Sequence, residues 1–288
     1  MKPVTSQEVK AAAKRFGADL VGIASVENLK DLPPRQNPRS IFSRAENVIV
    51  LGRMIPRGEF AGIERGTEMD HSFQIYGFYG TEDNFLAKIT YDMTIWMEAH
   101  GFEAVPLFAY DTVGEPVGIP VAEGKPAPNV ILPYRLMAQA AGLGETALNG
   151  LFLTEQFGPR QRFAMLVTDA ELEADNPFVP HICDDCGACV RECPLHALDA
   201  EKAEPAGLNG LTRPVAARDN DLCKRCRNGA LQTNYGRFQT VERIAAACGR
   251  ACIAALERGG RFGGTYRHPF RSQEKPLWKI DYLGEVEK

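Results

Sequence analysis

Cysteines stand at positions 183, 186, 189 and 193 of the stretch HICDDCGACVRECPLHAL, and Pro194 follows the last of them. Three thiols spaced two residues apart let a short loop curl its backbone so that the sulfurs converge on one side, as one [4Fe–4S] cubane requires. The fourth thiol of such a run, followed by proline, serves a second cubane, so further cysteines are required downstream. Cys223, Cys226, Cys248 and Cys252 supply them and complete the eight cysteines of this 288-residue chain. The spacing assigns Cys183, Cys186 and Cys189 with Cys252 to a first cluster, and Cys223, Cys226 and Cys248 with Cys193 to a second. The second run is stretched, with twenty-one residues between Cys226 and Cys248, and Ile253 stands where a proline would follow Cys252. Cys248 and Cys252 lie four apart in the Ala-rich VERIAAACGRACIAALERG, where a helix projects both from one face toward adjacent clusters.

Disulfides and zinc are the competing uses of so many thiols. A disulfide scaffold belongs to short secreted chains, whereas these cysteines occupy a small part of a long one and MKPVTSQEVK carries no secretory signal. Zinc accepts CxxC pairs, but a tetrahedral site has no need of a closely spaced fourth cysteine followed by proline.

With 44% hydrophobic residues the chain can bury one sizeable core and a smaller satellite, which the cysteines define. A net charge of −4 and the lack of a basic block argue against a nucleic-acid partner. No apolar run reaches the roughly 18 residues of a spanning helix, so no membrane partner is expected and the location implied is cytoplasmic. Oxidation-sensitive clusters further imply a reducing or anoxic setting.

Thr5 and Glu8 form a capping-box signature ahead of a helix that stops at Gly17, and ADLVGIAS and NVIVLGRMI read as buried strands. Aromatics crowd residues 58–84; most read as packing, with His71, Tyr76 and Tyr79 as candidate proton donors or substrate contacts. Phe85, Ile89, Met93 and Trp96 fall on one stripe of a helix ending at Gly101. EAVPLFAY and QRFAMLVTDAEL are further strands, with the Gly/Pro-rich excursion GEPVGIPVAEGKPAPN and the helix PYRLMAQAAGLGE between them. Asp111 and Glu145 join the candidate donors for their chemistry and loop position, and Arg160 and Arg162 could contact an anionic cofactor group. The polar stretch DAEKAEPAGLNGLTRPVAARDND reads as a solvent-side loop between the cysteine runs. The implied organisation is an α/β core over 1–175, a cluster domain over 176–258 and an aromatic-bearing strap over 259–288 that includes Trp278 and Tyr282.

The stretch AQAAGLGETALNGLFLTEQFGPRQRFAMLVTDAEL, followed by CxxCxxCxxxCP, resembles the superfamily of reductive dehalogenases and epoxyqueuosine reductases. Its AGLG, LTPE(F/Y)G and LTDL segments correspond here to Ala141–Gly144, Leu153–Gly158 and Leu166–Asp169. The resemblance implies an α/β fold with a nitroreductase-like, corrinoid-binding core followed by a bacterial ferredoxin-like domain with two [4Fe–4S] clusters. It implies cobalamin in the core, with flavin as the alternative, and a small-molecule substrate. An electron donor such as ferredoxin or flavodoxin would feed the clusters. Two departures stand out. The VDSAP-like segment that carries the presumed acid in epoxyqueuosine reductases is VGIPVAEGKPAPN here, and LGWIGKN has become LGETALN, with Glu145 and Leu148 replacing Trp and Lys. The expected function is therefore an iron–sulfur oxidoreductase, with a second reading in which the chain only passes electrons to a partner such as a corrinoid protein.

Overall fold

Apolar strands alternating with short helices build a computed structural model that describes residues 4–69, 71–109, 118–232 and 241–271. The chain separates into two units that are interleaved in sequence. The first comprises Met1–Met54, Tyr79–Leu143 and Arg162–Phe178; the second comprises Ile55–Phe78, Gly144–Gln161 and Val179–Lys288. Segments 55–78 and 144–161, placed with the α/β core in the sequence reading, thus cluster with the cysteines.

In the first unit the helix Ser6–Arg15 starts at the expected capping box: Thr5 N–H donates to Glu8 Oε2 at 2.9 Å and Glu8 N–H to Thr5 Oγ1 at 3.2 Å. Four strands follow, β1 (Leu20–Ser25), β2 (Asn47–Met54), β3 (Ala104–Phe108) and β4 (Gln161–Thr168), in the order β1-β2-β4-β3. β1 pairs antiparallel with β2, Ile23 facing Ile49, and β3 pairs antiparallel with β4. Every residue of β4 is buried, as a run without alternation demands. Val9, Ala12 and Ala13 of the first helix pack with Ile23, Ile49 and Leu166 of the sheet and with Ile89, Met93 and Met97 of the helix Ala87–Ala99. A π-helical turn over Thr81–Leu86 precedes that helix and rotates its apolar face. Ile89 and Met93 point inward as expected, but Phe85 is 42% exposed and Met97 completes the buried stripe. The close passage of the AGLG segment explains Gly22: a Cβ there would lie 2.2 Å from the carbonyl oxygen of Ala141.

The second unit corrects one reading outright. The stretch taken for a solvent-side loop is an antiparallel hairpin, Leu198–Leu208 against Leu211–Arg218, with Leu208 opposite Leu211. Asn209-Gly210 makes the turn, and Gly210 at φ +75° sits in the left-handed region that glycine adopts without steric cost. The helix Ala247–Arg258 carries Cys248 and Cys252, as the Ala-rich pattern implies, though it starts several residues later than that pattern. Fully buried Arg250 of this helix bonds Glu64 Oε2 at 2.7 Å; Arg271 holds the other oxygen of Glu64 at 2.5 Å and reaches Glu192 at 2.9 Å. The described part of the strap is tied down further by Arg57, which pairs with Glu257 and stacks over the Tyr266 ring at 4.1 Å. Trp278 and Tyr282 lie outside the described residues.

Candidate metal centres

All eight cysteines lie in the second unit and fall into two sets with different surroundings. Cys193, Cys223, Cys226 and Cys248 line one cavity, walled otherwise by apolar side chains, Pro194 among them, and by Arg243. Local structure sets each of them. Cys193 closes the turn after the short helix Ala188–Arg191, and its sulfur accepts the Ala197 N–H at 3.3 Å. Cys223 rides the helix Asn220–Lys224, whose first turn is capped by Asp219 through the N–H groups of Asp221 and Leu222. Burial pushes the Cys223 and Cys248 thiols up, and the Arg243 guanidinium opposes that shift in both. Burial also raises Cys226, to about 11. Arg243 is itself buried and donates to the Asn149 carbonyl at 2.9 Å.

Cys183, Cys186, Cys189 and Cys252 form the other set. Cys186 is exposed, Cys183 and Cys252 are half-buried and Cys189 is buried. Their loop is curled by left-handed residues, Asp185 at φ +55° and Gly187 at φ +69°. Charged side chains hold it: Glu145 accepts the N–H groups of His181, Ile182 and Cys183, Arg191 donates to the Cys186 carbonyl at 2.8 Å, and Arg261 pairs with Asp184 at 2.7 Å. Arg213 bridges Glu145, Asp185 and the Cys183 carbonyl. Burial raises the Cys189 thiol to about 12, helped by the charges of Cys248, Cys183 and Cys186. Cys252 is pushed well up by desolvation, then by Cys189, Cys183 and Cys186, and least by Cys248 one helical turn away. The thiols that act on Cys226 are instead Cys248, Cys223 and Cys193. Among the described residues no group of three or more His, Cys, Asp or Glu side chains converges on the position of a single ion. Four thiols ringing a cavity are the donor set of a polynuclear cluster, and the residues present fit one.

The other candidates from the sequence are not gathered around these sets. His71 and Tyr76 are exposed on the short helix His71–Tyr76 of the second unit, and Tyr79 is half-buried in the first. Asp111 lies outside the described residues. Arg160 is buried, donating to the Ile55 carbonyl and the Tyr266 hydroxyl, both at 2.9 Å, which ties it to the strap. Arg162 is buried in the first unit, 3.4 Å from Glu82. Glu145, chosen as a donor, is wholly buried as an acceptor for backbone. The arginines beside the thiols, Arg213, Arg243 and Arg261, went unmarked in the sequence because none is near the cysteines by any fixed spacing.

Comparison with protein-family profiles returns no match. Tetrachloroethene reductive dehalogenase of Dehalobacter restrictus is 33% identical over 245 residues, covering 70% of this chain and 40% of that protein. Its namesake in Desulfitobacterium hafniense is 34% identical over 120 residues, covering 41% and 18%. Epoxyqueuosine reductase of Lactococcus garvieae is 39% identical over 62 residues, covering 22% and 17%. Among solved structures, a catabolic reductive dehalogenase in complex with 3-bromo-4-hydroxybenzoic acid matches in fold, with a TM-score of 0.55 at 19% identity over 86% of this chain and 31% of that one. The chain belongs to the superfamily of reductive dehalogenases and epoxyqueuosine reductases. It spans less than half the length of the curated dehalogenases it matches. No helix among the described residues is long and apolar enough to cross a membrane.

Proposed function

We propose that this chain is an iron–sulfur reductase whose two cysteine sets hold two [4Fe–4S] clusters that carry electrons to a corrinoid for the reduction of a small organic substrate. The observation that carries the reading is the cavity that Cys193 of the first run lines with Cys223, Cys226 and Cys248 of the second, while the thiols that raise Cys252 most are Cys189, Cys183 and Cys186. That is the crossing in which each run lends its last cysteine to the other, and it favours two neighbouring clusters over separate structural sites. Two clusters so joined exchange single electrons. The protein holds them, keeps water from the second set with apolar walls, and places an arginine beside each.

Reductase activity is supported by the relatives, all of them named as reductases or reductive dehalogenases. The corrinoid is supported by a solved structural neighbour described as performing B12-dependent dehalogenation, at 19% identity and a TM-score of 0.55. Its binding residues and the proton donor, for which Tyr76, Tyr79, His71 and Asp111 are the candidates, belong to the same proposal. Ferredoxin or flavodoxin is the proposed electron donor.

Anaerobic reconstitution with iron and sulfide should load roughly eight irons per chain, the content of two cubanes. Cobalamin added to that protein should change its visible spectrum and comigrate on gel filtration. Iron-loaded protein that ignores corrinoids and flavins would instead establish the electron-transfer reading.

A further inference from the structure

The first cysteine set is held by a clamp that ligand spacing alone does not call for. Glu145 is wholly buried, and its carboxylate accepts the N–H groups of His181 at 2.5 Å, Ile182 at 3.0 Å and Cys183 at 2.8 Å. Arg213, from the second strand of the hairpin, completes the clamp. Its Nη1 lies 3.3 Å from Glu145 Oε1 and 2.5 Å from the Cys183 carbonyl oxygen, and its Nη2 binds Asp185. Those contacts occupy both terminal nitrogens. Nε is buried and has no hydrogen-bond partner among the described residues. A buried donor left unmade carries its full desolvation penalty, and a clamp built only to hold backbone gains nothing by leaving it so. The cost is explained if the remaining donor is kept for a group that arrives with the cluster.

We propose that Arg213 is the positioning and tuning residue of the first cluster: Glu145 and Asp185 fix its guanidinium against the Cys183 loop, and its Nε–H donates to a sulfur of the bound cluster. The inference rests on the reading of Cys183, Cys186, Cys189 and Cys252 as cluster ligands. Reduction adds negative charge to a cluster, so a fixed cation with a donor to sulfur favours the reduced form and raises the potential. The effect falls on the first cluster, because the contacts of Arg213 are to the Cys183 loop and to Glu145, which holds that loop.

The test uses the full chain, reconstituted anaerobically, with iron content and a potentiometric titration followed by electron paramagnetic resonance on wild type, Arg213→Gln and Arg213→Lys. Cys252→Ser identifies which midpoint belongs to the first cluster. The expected result is full iron in both variants, a lowered first midpoint in Arg213→Gln, a smaller drop in Arg213→Lys, and an unmoved second midpoint. Full iron with both midpoints at their wild-type positions would overturn the proposal, as would a shift in the second midpoint alone. If Arg213→Gln loses the first cluster, Arg213→Lys decides by the same criterion. Wild-type protein that fails to load two cubanes would overturn the cluster reading itself, an outcome visible before any variant is compared.

Discussion

The two cysteine sets are alike in offering four thiols each and differ in how the protein holds them. The first is carried on a curled loop gripped from outside by Glu145, Arg191, Arg213 and Arg261, and one of its thiols, Cys186, is exposed. The second lines an apolar cavity whose thiols are fixed by helix ends and by packing, with Arg243 as the charged group in the wall. Ionic grips set direction at a surface where apolar contacts are few, and packing sets position where water is excluded. The first set should therefore respond to single charge changes and the second to single changes of volume.

The largest effect expected is on ligand crossing. Cys193→Ser should lose about half the iron by removing the second cluster while the paramagnetic signal of the first survives. Iron analysis and spectra of the reduced variant check this. Loss of the first cluster with retention of the second would break the comparison at its root.

Volume change comes next. A Cβ on Gly249, between Cys248 and Arg250, would lie 2.1 Å from the Ile244 carbonyl oxygen and 2.7 Å from that of Arg243. Gly249→Ala should cost about 1–3 kcal/mol by forcing the start of the cysteine helix away from the segment that carries Arg243. Chemical denaturation measures the cost, and the second cluster should be the one that fails to load. Equal loss of both clusters would show that packing holds the two sets alike.

What the sequence displays of this arrangement follows from the range of the interactions. The capping box at Thr5 and Glu8, the buried strands and the helical pairing of Cys248 with Cys252 are local patterns, and each is present in the structure. The hairpin was legible too, since Asn209-Gly210 stands between Leu208 and Leu211, but the polar residues around it favoured a loop reading. Phe85 was misplaced because a π-helical turn changes the phase of a helix without leaving a mark in hydrophobic spacing. Glu145 drew attention for its charge, yet its partners lie 36 to 68 residues away, so its job as a clamp is a tertiary fact. Arg213 and Arg243 carry no local signal at all.

The smallest effect expected is a difference in thiol reactivity in the iron-free chain. The thiolate is the nucleophile, so exposure and ionisation together set the rate. Cys186 is exposed and should be alkylated first, while Cys189, raised by burial to about 12, and Cys226, raised to about 11, should lag at pH 8. Raising the pH should close the gap, because it supplies thiolate where burial had withheld it. The same shifts bear on stability. A thiol raised from its ordinary 9.0 stays protonated in the folded chain after its unfolded counterpart has ionised, so stability holds below pH 9 and falls as pH rises from there toward about 12. Mass spectrometry of alkylated peptides gives the order of reaction, and thermal unfolding across that pH range gives the slope. Alkylation of Cys189 or Cys226 ahead of Cys186 would show that the thiol environments do not differ as the two modes of holding require.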